Sequence, residues 1–286
     1  MNSPSQSLFT LTQGAGGLPK LTLFAPDGAR AEIYLHGAQI TSWVPAGGAE
    51  RFFMSRNSQF SSDTPIRGGI PVIFPQFGTT GPLAQHGFAR LMEWEFMSAQ
   101  AIATRASAVF SLRDTEDSRR LWDYPFAAEL TVLLGDNQLA VTLAITNIGP
   151  KPMTFTSALH TYFAVADLAA TTVENLAGIQ YRDAAAGWTD HQQTQPALGF
   201  MGEVNRIYFN APAELCLSEP TRTTLIRSEG FADTVIWNPS ATKCPTMPDL
   251  EPTDYQRFVC VEAAAIGNPI ELAPGERWQG TQTLLA

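Results

Sequence analysis

An all-β fold, a large antiparallel β-sandwich, is the architecture this sequence predicts, and three observations predict it. The 20 prolines and 22 glycines are scattered along all 286 residues and cut the chain into short runs. Within those runs apolar and polar residues often alternate, which is the period of a half-buried strand and not of a helix. Helical periodicity is confined to one short segment, around Ser118–Trp122. Many short strands with one apolar face each bury that face most simply as two stacked sheets.

Taken in order, AEIYLHGAQITSWV reads as strand-like, with alternating apolar and polar residues. In LAVTLAITNIGPKPMTFTSALHTYFAV, two strand-like runs flank Asn147–Pro152, whose Asn, Gly and Pro content predicts the turn of a long hairpin. FVCVEAAAI and RWQGTQTLL supply strands near the C-terminus. No internal repeat, low-complexity block or Ser/Gly linker divides the chain. One domain over residues 1–286 is expected, with about residues 1–20 as a loosely ordered tail.

Composition narrows the function. With 44% hydrophobic and 16% charged residues, the chain is too apolar for a disordered segment or a coiled coil. A net charge of −9 argues against nucleic acid or an anionic membrane as partner, since both attract clustered Lys and Arg. An anionic ligand would therefore need a local positive island. Cys216, Cys244 and Cys260 show no CxxC or metal-ligand spacing, so free thiols in the cytosol are expected, with no metal and no cofactor. The N-terminal residues lack a basic segment followed by an apolar core, and no run approaches ~18 apolar residues.

Seven residues stand out as candidates for chemistry. Glu262 interrupts the apolar run FVCVEAAA and should point with Phe258 and Cys260, where a dry, unpaired carboxylate is costly. It is either paired or poised to move protons. His160, in LHTYF, would share a strand face with Thr156, Ala158, Tyr162 and Ala164; a hydrogen-bonded core histidine is the structural alternative. His86 and Arg90 lie together in AQHGFAR, a segment expected to lead from a loop into a strand. Arg67 precedes Gly68-Gly69 in PIRGGIPVIFPQFG, where glycines would let backbone approach a ligand and a guanidinium could grip phosphate; a turn-stabilising ion pair is the alternative. Gln76 belongs to the same segment. Asp233, in GFADTVIWNP, shares a face with Val235 and Trp237 and by itself reads as a turn residue. Phosphate-loop, HExxH and GxSxG motifs are absent.

In order along the chain, IRGGIPVIFPQFG, QHGFAR with MEWEF, SALHTYF, FADTVIWNP and FVCVEAAA with LAPGERWQG form a set. With this set the chain resembles the hexose-6-phosphate mutarotases, or glucose-6-phosphate 1-epimerases, of the aldose 1-epimerase superfamily, from about Ala31 to the C-terminus. The resemblance implies the galactose mutarotase β-sandwich and interconversion of the anomers of a hexose 6-phosphate through ring opening. It implies Glu262 as the base at the anomeric hydroxyl and His160 as the proton donor to the ring oxygen. His86 would steady the sugar, Asp233 would bind hydroxyls, Arg67 and Arg90 would hold the phosphate, and Gln76 would be a pocket residue without an assigned role. On this view Glu262 begins ionised and His160 protonated, and the partner is a small phosphosugar acting on a monomer. An epimerase of free sugars, a non-catalytic carbohydrate-binding module and a two-carboxylate glycosidase are the competing classes.

Overall fold

In the computed structural model, which describes residues 7–286, strands form three antiparallel sheets. A nine-stranded sheet runs in the order Ala197–Leu198, Thr172–Glu174, Glu214–Glu219, Arg222–Glu229, Arg277–Leu285, Gln138–Asn147, Phe126–Gly135, Arg105–Arg113 and Glu95–Ile102. An eight-stranded sheet runs Thr189–Gln192, Gln180–Asp183, Val204–Tyr208, Asp233–Asn238, Phe258–Leu272, Met153–Leu159 and Val72–Ile73, with Tyr162–Ala164 also paired to Phe258–Leu272. The smaller four-stranded sheet comprises Phe9–Gln13, Pro19–Phe24, Arg30–Tyr34 and Gln39–Val44. The helix expected near Ser118–Trp122 is Glu116–Leu121, held by a reciprocal capping box between Thr115 and Ser118.

Two expectations change. Residues 9–13 pair with 19–23, and Phe9 packs on the core and against Phe96, so this part of the supposed tail belongs to a sheet. Residues 1–6 lie outside the described residues. The predicted hairpin across Asn147–Pro152 does not form either: Gln138–Asn147 pairs within the nine-stranded sheet, Met153–Leu159 within the eight-stranded one. The turn carries the chain from one sheet to the other. Asn147, fully buried, fixes the crossing by donating to the carbonyls of Lys151 and Leu272 and accepting from the Gly149 N–H.

Side-chain alternation along Phe258–Leu272 then separates core from chemistry. Val259, Val261, Ala263 and Ala265 join the main core between the sheets. Phe258, Cys260 and Ala264 point the other way, into two smaller apolar clusters that include Tyr162 and Trp237 on one side and Ala158 and Val235 on the other. Glu262, by parity, belongs to this second face.

Gly68 and Gly69 do not serve the close approach to a ligand expected of them. A Cβ on Gly68 would sit 2.3 Å from the Phe53 carbonyl oxygen, and one on Gly69 would sit 2.0 Å from that of Ile40. Both glycines have positive φ, and their function is to let three chain segments cross tightly beneath Arg67. Gly69→Ala is expected to cost about 2–5 kcal/mol, combining left-handed backbone strain with a clash against an immobile carbonyl. Chemical denaturation measures this, and a loss below about 1 kcal/mol would mean the crossing is not tight.

Candidate active site

The site is built on the register between two neighbouring strands. Ser157, Ala158 and Leu159 pair with Ala265, Ala264 and Ala263, and beyond an interruption Tyr162 pairs with Cys260 in the same register. His160 falls in the interruption, its N–H donated to the Pro71 carbonyl, and is thereby set beside Glu262. Its Nε2 is 3.3 Å from Oε1 of Glu262. The Tyr162 ring stacks on the imidazole at 4.8 Å and 10°, and Trp237 meets it edge-on at 6.0 Å, so the ring has little freedom to turn.

Each member of the pair has one further heteroatom, Nδ1 of His160 and Oε2 of Glu262, and both are buried without a hydrogen-bond partner in the protein. Buried polar atoms are rarely left so, and such a pair marks a place where something else supplies the hydrogen bonds. Both residues line a cavity of about 450 Å³, together with Arg67, His86, Arg90, Asn205, Trp237 and Lys243. That volume suits one small polar ligand.

His86 stands 5.6 Å from His160, ring centre to ring centre, and its Nδ1 accepts a hydrogen bond from the Gly78 N–H, which leaves Nε2 as the donor. The segment after it is not a strand as expected but a short 3₁₀ turn, Ala89–Leu91, which delivers Arg90. Arg90 donates to the Gln85 carbonyl and has no carboxylate partner among the described residues; its Nε is buried and unsatisfied. Arg67 is different. It is ion-paired at 2.8 Å with Asp249 and donates from Nη1 to the Tyr162 hydroxyl at 2.7 Å. Lys243, also at the cavity, is paired with Glu203.

Burial sets the protonation states. It pushes the Glu262 carboxyl well above the usual carboxylate range. Burial, then His86 and the Arg67 and Arg90 guanidiniums, holds His160 well below an ordinary histidine. Both shifts favour a neutral pair over the expected ionised glutamate facing a protonated histidine, because neither charge is solvated here. Burial with Arg90 and Arg67 lowers His86 to about 3, so it too is neutral, and burial lowers Arg90 to about 10, still protonated at neutral pH.

Asp233 and Gln76 are not brought into this cavity; both line a neighbouring one of about 760 Å³. The Asp233 carboxylate accepts from the backbone N–H groups of Asn210, Ile266 and Gly267, and the Gln76 amide is bonded to Gly78 and Leu83. Their hydrogen bonds tie loops to the sheet. Asp249 escaped notice in the sequence because it is 182 residues from the arginine it pairs with. Tyr162 and Trp237 could be placed on the right faces by alternation but carried no sign of contact with His160. Among the described residues no three His, Cys, Asp or Glu side chains gather as metal ligands would. No helix there is long and apolar enough to cross a membrane.

Comparison with known proteins gives a consistent set. A family model described as "Aldose 1-epimerase" matches residues 19–285. A Cenchrus ciliaris protein named "Putative glucose-6-phosphate 1-epimerase" is 36% identical over 96% of this chain and 87% of its own. One of the same name from Escherichia coli is 31% identical over 82% of this chain and 79% of its own. Among solved structures, a "putative mutarotase" from Salmonella typhimurium superposes with a TM-score of 0.90 at 26% identity, covering 99% of this chain and 95% of that one.

The raised carboxyl of Glu262 has a consequence for stability. Between the ordinary glutamate value of 4.5 and the higher folded value, the folded chain keeps a proton that the unfolded chain has released. Stability must therefore fall as pH rises through that window. Glu262→Gln has no such proton, so its melting temperature should gain on the native chain between pH 4 and pH 8 by a few degrees, at roughly 2–4 °C per kcal/mol. Parallel curves of melting temperature against pH would exclude a buried, protonated Glu262.

Proposed function

Since this chain belongs to the aldose 1-epimerase family, we propose that it interconverts the α and β anomers of a hexose 6-phosphate, glucose 6-phosphate first, through the open-chain aldehyde. The single observation carrying this reading is the Glu262–His160 pair, with one heteroatom of each left unpartnered at a cavity that also holds an unpaired guanidinium. Mutarotation needs one proton removed at the anomeric hydroxyl and one delivered at the ring oxygen. A two-headed acid–base pair supplies both.

In the neutral pair the carboxyl proton on Oε1 is shared with Nε2, Nδ1 carries the imidazole hydrogen, and Oε2 is free to accept. The anomeric O–H gives its proton to Oε2 while Oε1–H passes its own to Nε2 and Nδ1–H protonates the ring oxygen. The bond from C1 to the ring oxygen breaks and the C1 carbonyl forms. Glutamate and imidazole end as neutral as they began, each with its hydrogen on the opposite atom. Rotation about C1–C2 turns the other carbonyl face, and the same transfers in reverse close the ring to the other anomer. No isolated charge is created in a site that disfavours charge. His86, donor through Nε2, would hold a sugar oxygen, and Arg90 with Arg67 would take the phosphate. Asp233 and Gln76 would act on the sugar only through the loops they brace.

The whole of residues 1–286 is read as one catalytic domain. An epimerase of unphosphorylated sugars is the second reading; the unpaired Arg90 counts against it, because a free sugar gives a buried guanidinium nothing to neutralise.

Anomer exchange followed by NMR should fall by at least about 10²-fold in Glu262→Gln and in His160→Ala, as befits loss of positioned acid–base groups. Binding without acceleration in the native chain would instead establish a carbohydrate-binding module. Arg90→Ala should raise KM for glucose 6-phosphate at least tenfold and leave weak turnover of free glucose unaffected; equal effects on both substrates would sink the phosphate assignment. The pH–rate profile should be a broad plateau through neutrality. It should fall on the acid side as His160 takes a second proton and on the alkaline side as Glu262 loses the last one.

A further inference from the structure

Of six tryptophans, Trp188 alone is exposed, at 56%, and it is the aromatic that lines both the cavity of Glu262 and the larger one beside it. A bulky residue closing the turn of a hairpin, just before the strand Thr189–Gln192, would ordinarily sit in a relaxed backbone; Trp188 has φ +64, in the left-handed region. The surrounding turn is braced to hold it there. Trp188 donates its N–H to the Asp183 carbonyl at 2.8 Å. The Asp183 carboxylate accepts from the N–H groups of Ala185 and Ala186 and is ion-paired with Arg206 at 3.0 Å. Thr189 closes the turn with a hydrogen bond to the Ala186 carbonyl. A large apolar ring is thus kept in water, in a strained conformation, at the mouth of a polar cavity, and neither cost is offset by packing in the core.

A pyranose presents hydroxyls at its rim and C–H groups on its faces. The floor of the cavity supplies partners for the rim, and an indole at the mouth supplies a flat, polarisable surface for a face. We infer that Trp188 is a specificity-determining residue that stacks on the sugar ring and favours a hexose whose stacked face carries no axial hydroxyl. This rests on the proposed phosphosugar reaction and names the sugar class within it. On its β face neither anomer of glucose 6-phosphate carries an axial hydroxyl, the axial 1-hydroxyl of the α anomer lying on the other face, whereas galactose 6-phosphate carries its axial 4-hydroxyl there. The stacked face is therefore the β face. Stacking forms in the ground state as much as in the transition state, so its loss belongs in KM.

The test is steady-state anomer exchange on both phosphosugars for the native chain, Trp188→Ala and Trp188→Phe, with melting temperatures to verify folding. Trp188→Ala should raise KM for glucose 6-phosphate about tenfold with kcat within about threefold, and should lower the ratio of kcat/KM for glucose over galactose 6-phosphate. Trp188→Phe should recover most of both. An alanine variant with KM within about twofold of native, an unchanged ratio, or a phenylalanine variant no better than alanine overturns the inference. Should the native chain fail to accelerate exchange, the reaction assignment fails separately. Stacking is then decided by calorimetric titration with glucose 6-phosphate: weaker binding to Trp188→Ala, restored in Trp188→Phe, sustains it, and equal affinities for all three chains overturn it.

Discussion

A carboxylic acid and an imidazole held together in a nearly dry site constrain everything around them. Glu262 can sit on an inner strand of a sheet because His160 meets one of its oxygens and because burial raises its proton affinity, favouring the neutral acid. Removing either partner would leave a buried polar group unmatched. The sandwich makes this tolerable by dividing labour between the faces of one strand. Alanines and valines on one face lock it to the nine-stranded sheet, while the opposite face, freed from closing the core, carries the chemistry.

The electrostatics of the cavity are graded in the same economical way. An acidic protein needs a positive island to hold an anion, yet three bare cations in one place would repel one another. Arg67 and Lys243 are already matched by Asp249 and Glu203, which fix their positions. Arg90 is left without a carboxylate partner among the described residues, and burial lowers its proton affinity. Fixed cations orient; the unmatched one attracts.

Much of this was legible in the sequence, and what was not has physical reasons. Strand alternation located Glu262 on its face, because a period of two residues survives intact into a sheet. His160, His86, Arg67 and Arg90 were grouped by the resemblance of their ordered motifs, since all four lie outside regular strands. The hairpin across residues 147–152 was misjudged since a turn's chemistry does not say which sheet receives the next strand; that choice rests on Asn147 reaching Leu272. The glycines after Arg67 advertised close approach correctly but not what approaches. Asp249 and Trp188 lie in loops, where no period constrains orientation, and their importance comes from contacts made only once the chain has folded.

The placement of charge also bears on how a neutral relay could coexist with a doubly charged substrate. A dianion near the pair would strengthen proton binding to both the carboxyl and the imidazole, which favours keeping the shared proton and works against the ionised glutamate that a simple base mechanism needs. The two guanidiniums act in the opposite sense on His160, lowering its proton affinity while the cavity is empty. Once the phosphate is bound, anion and guanidiniums oppose one another, and the pair experiences a smaller net field than in the empty cavity. A relay whose end states are both uncharged is the chemistry least disturbed by what remains.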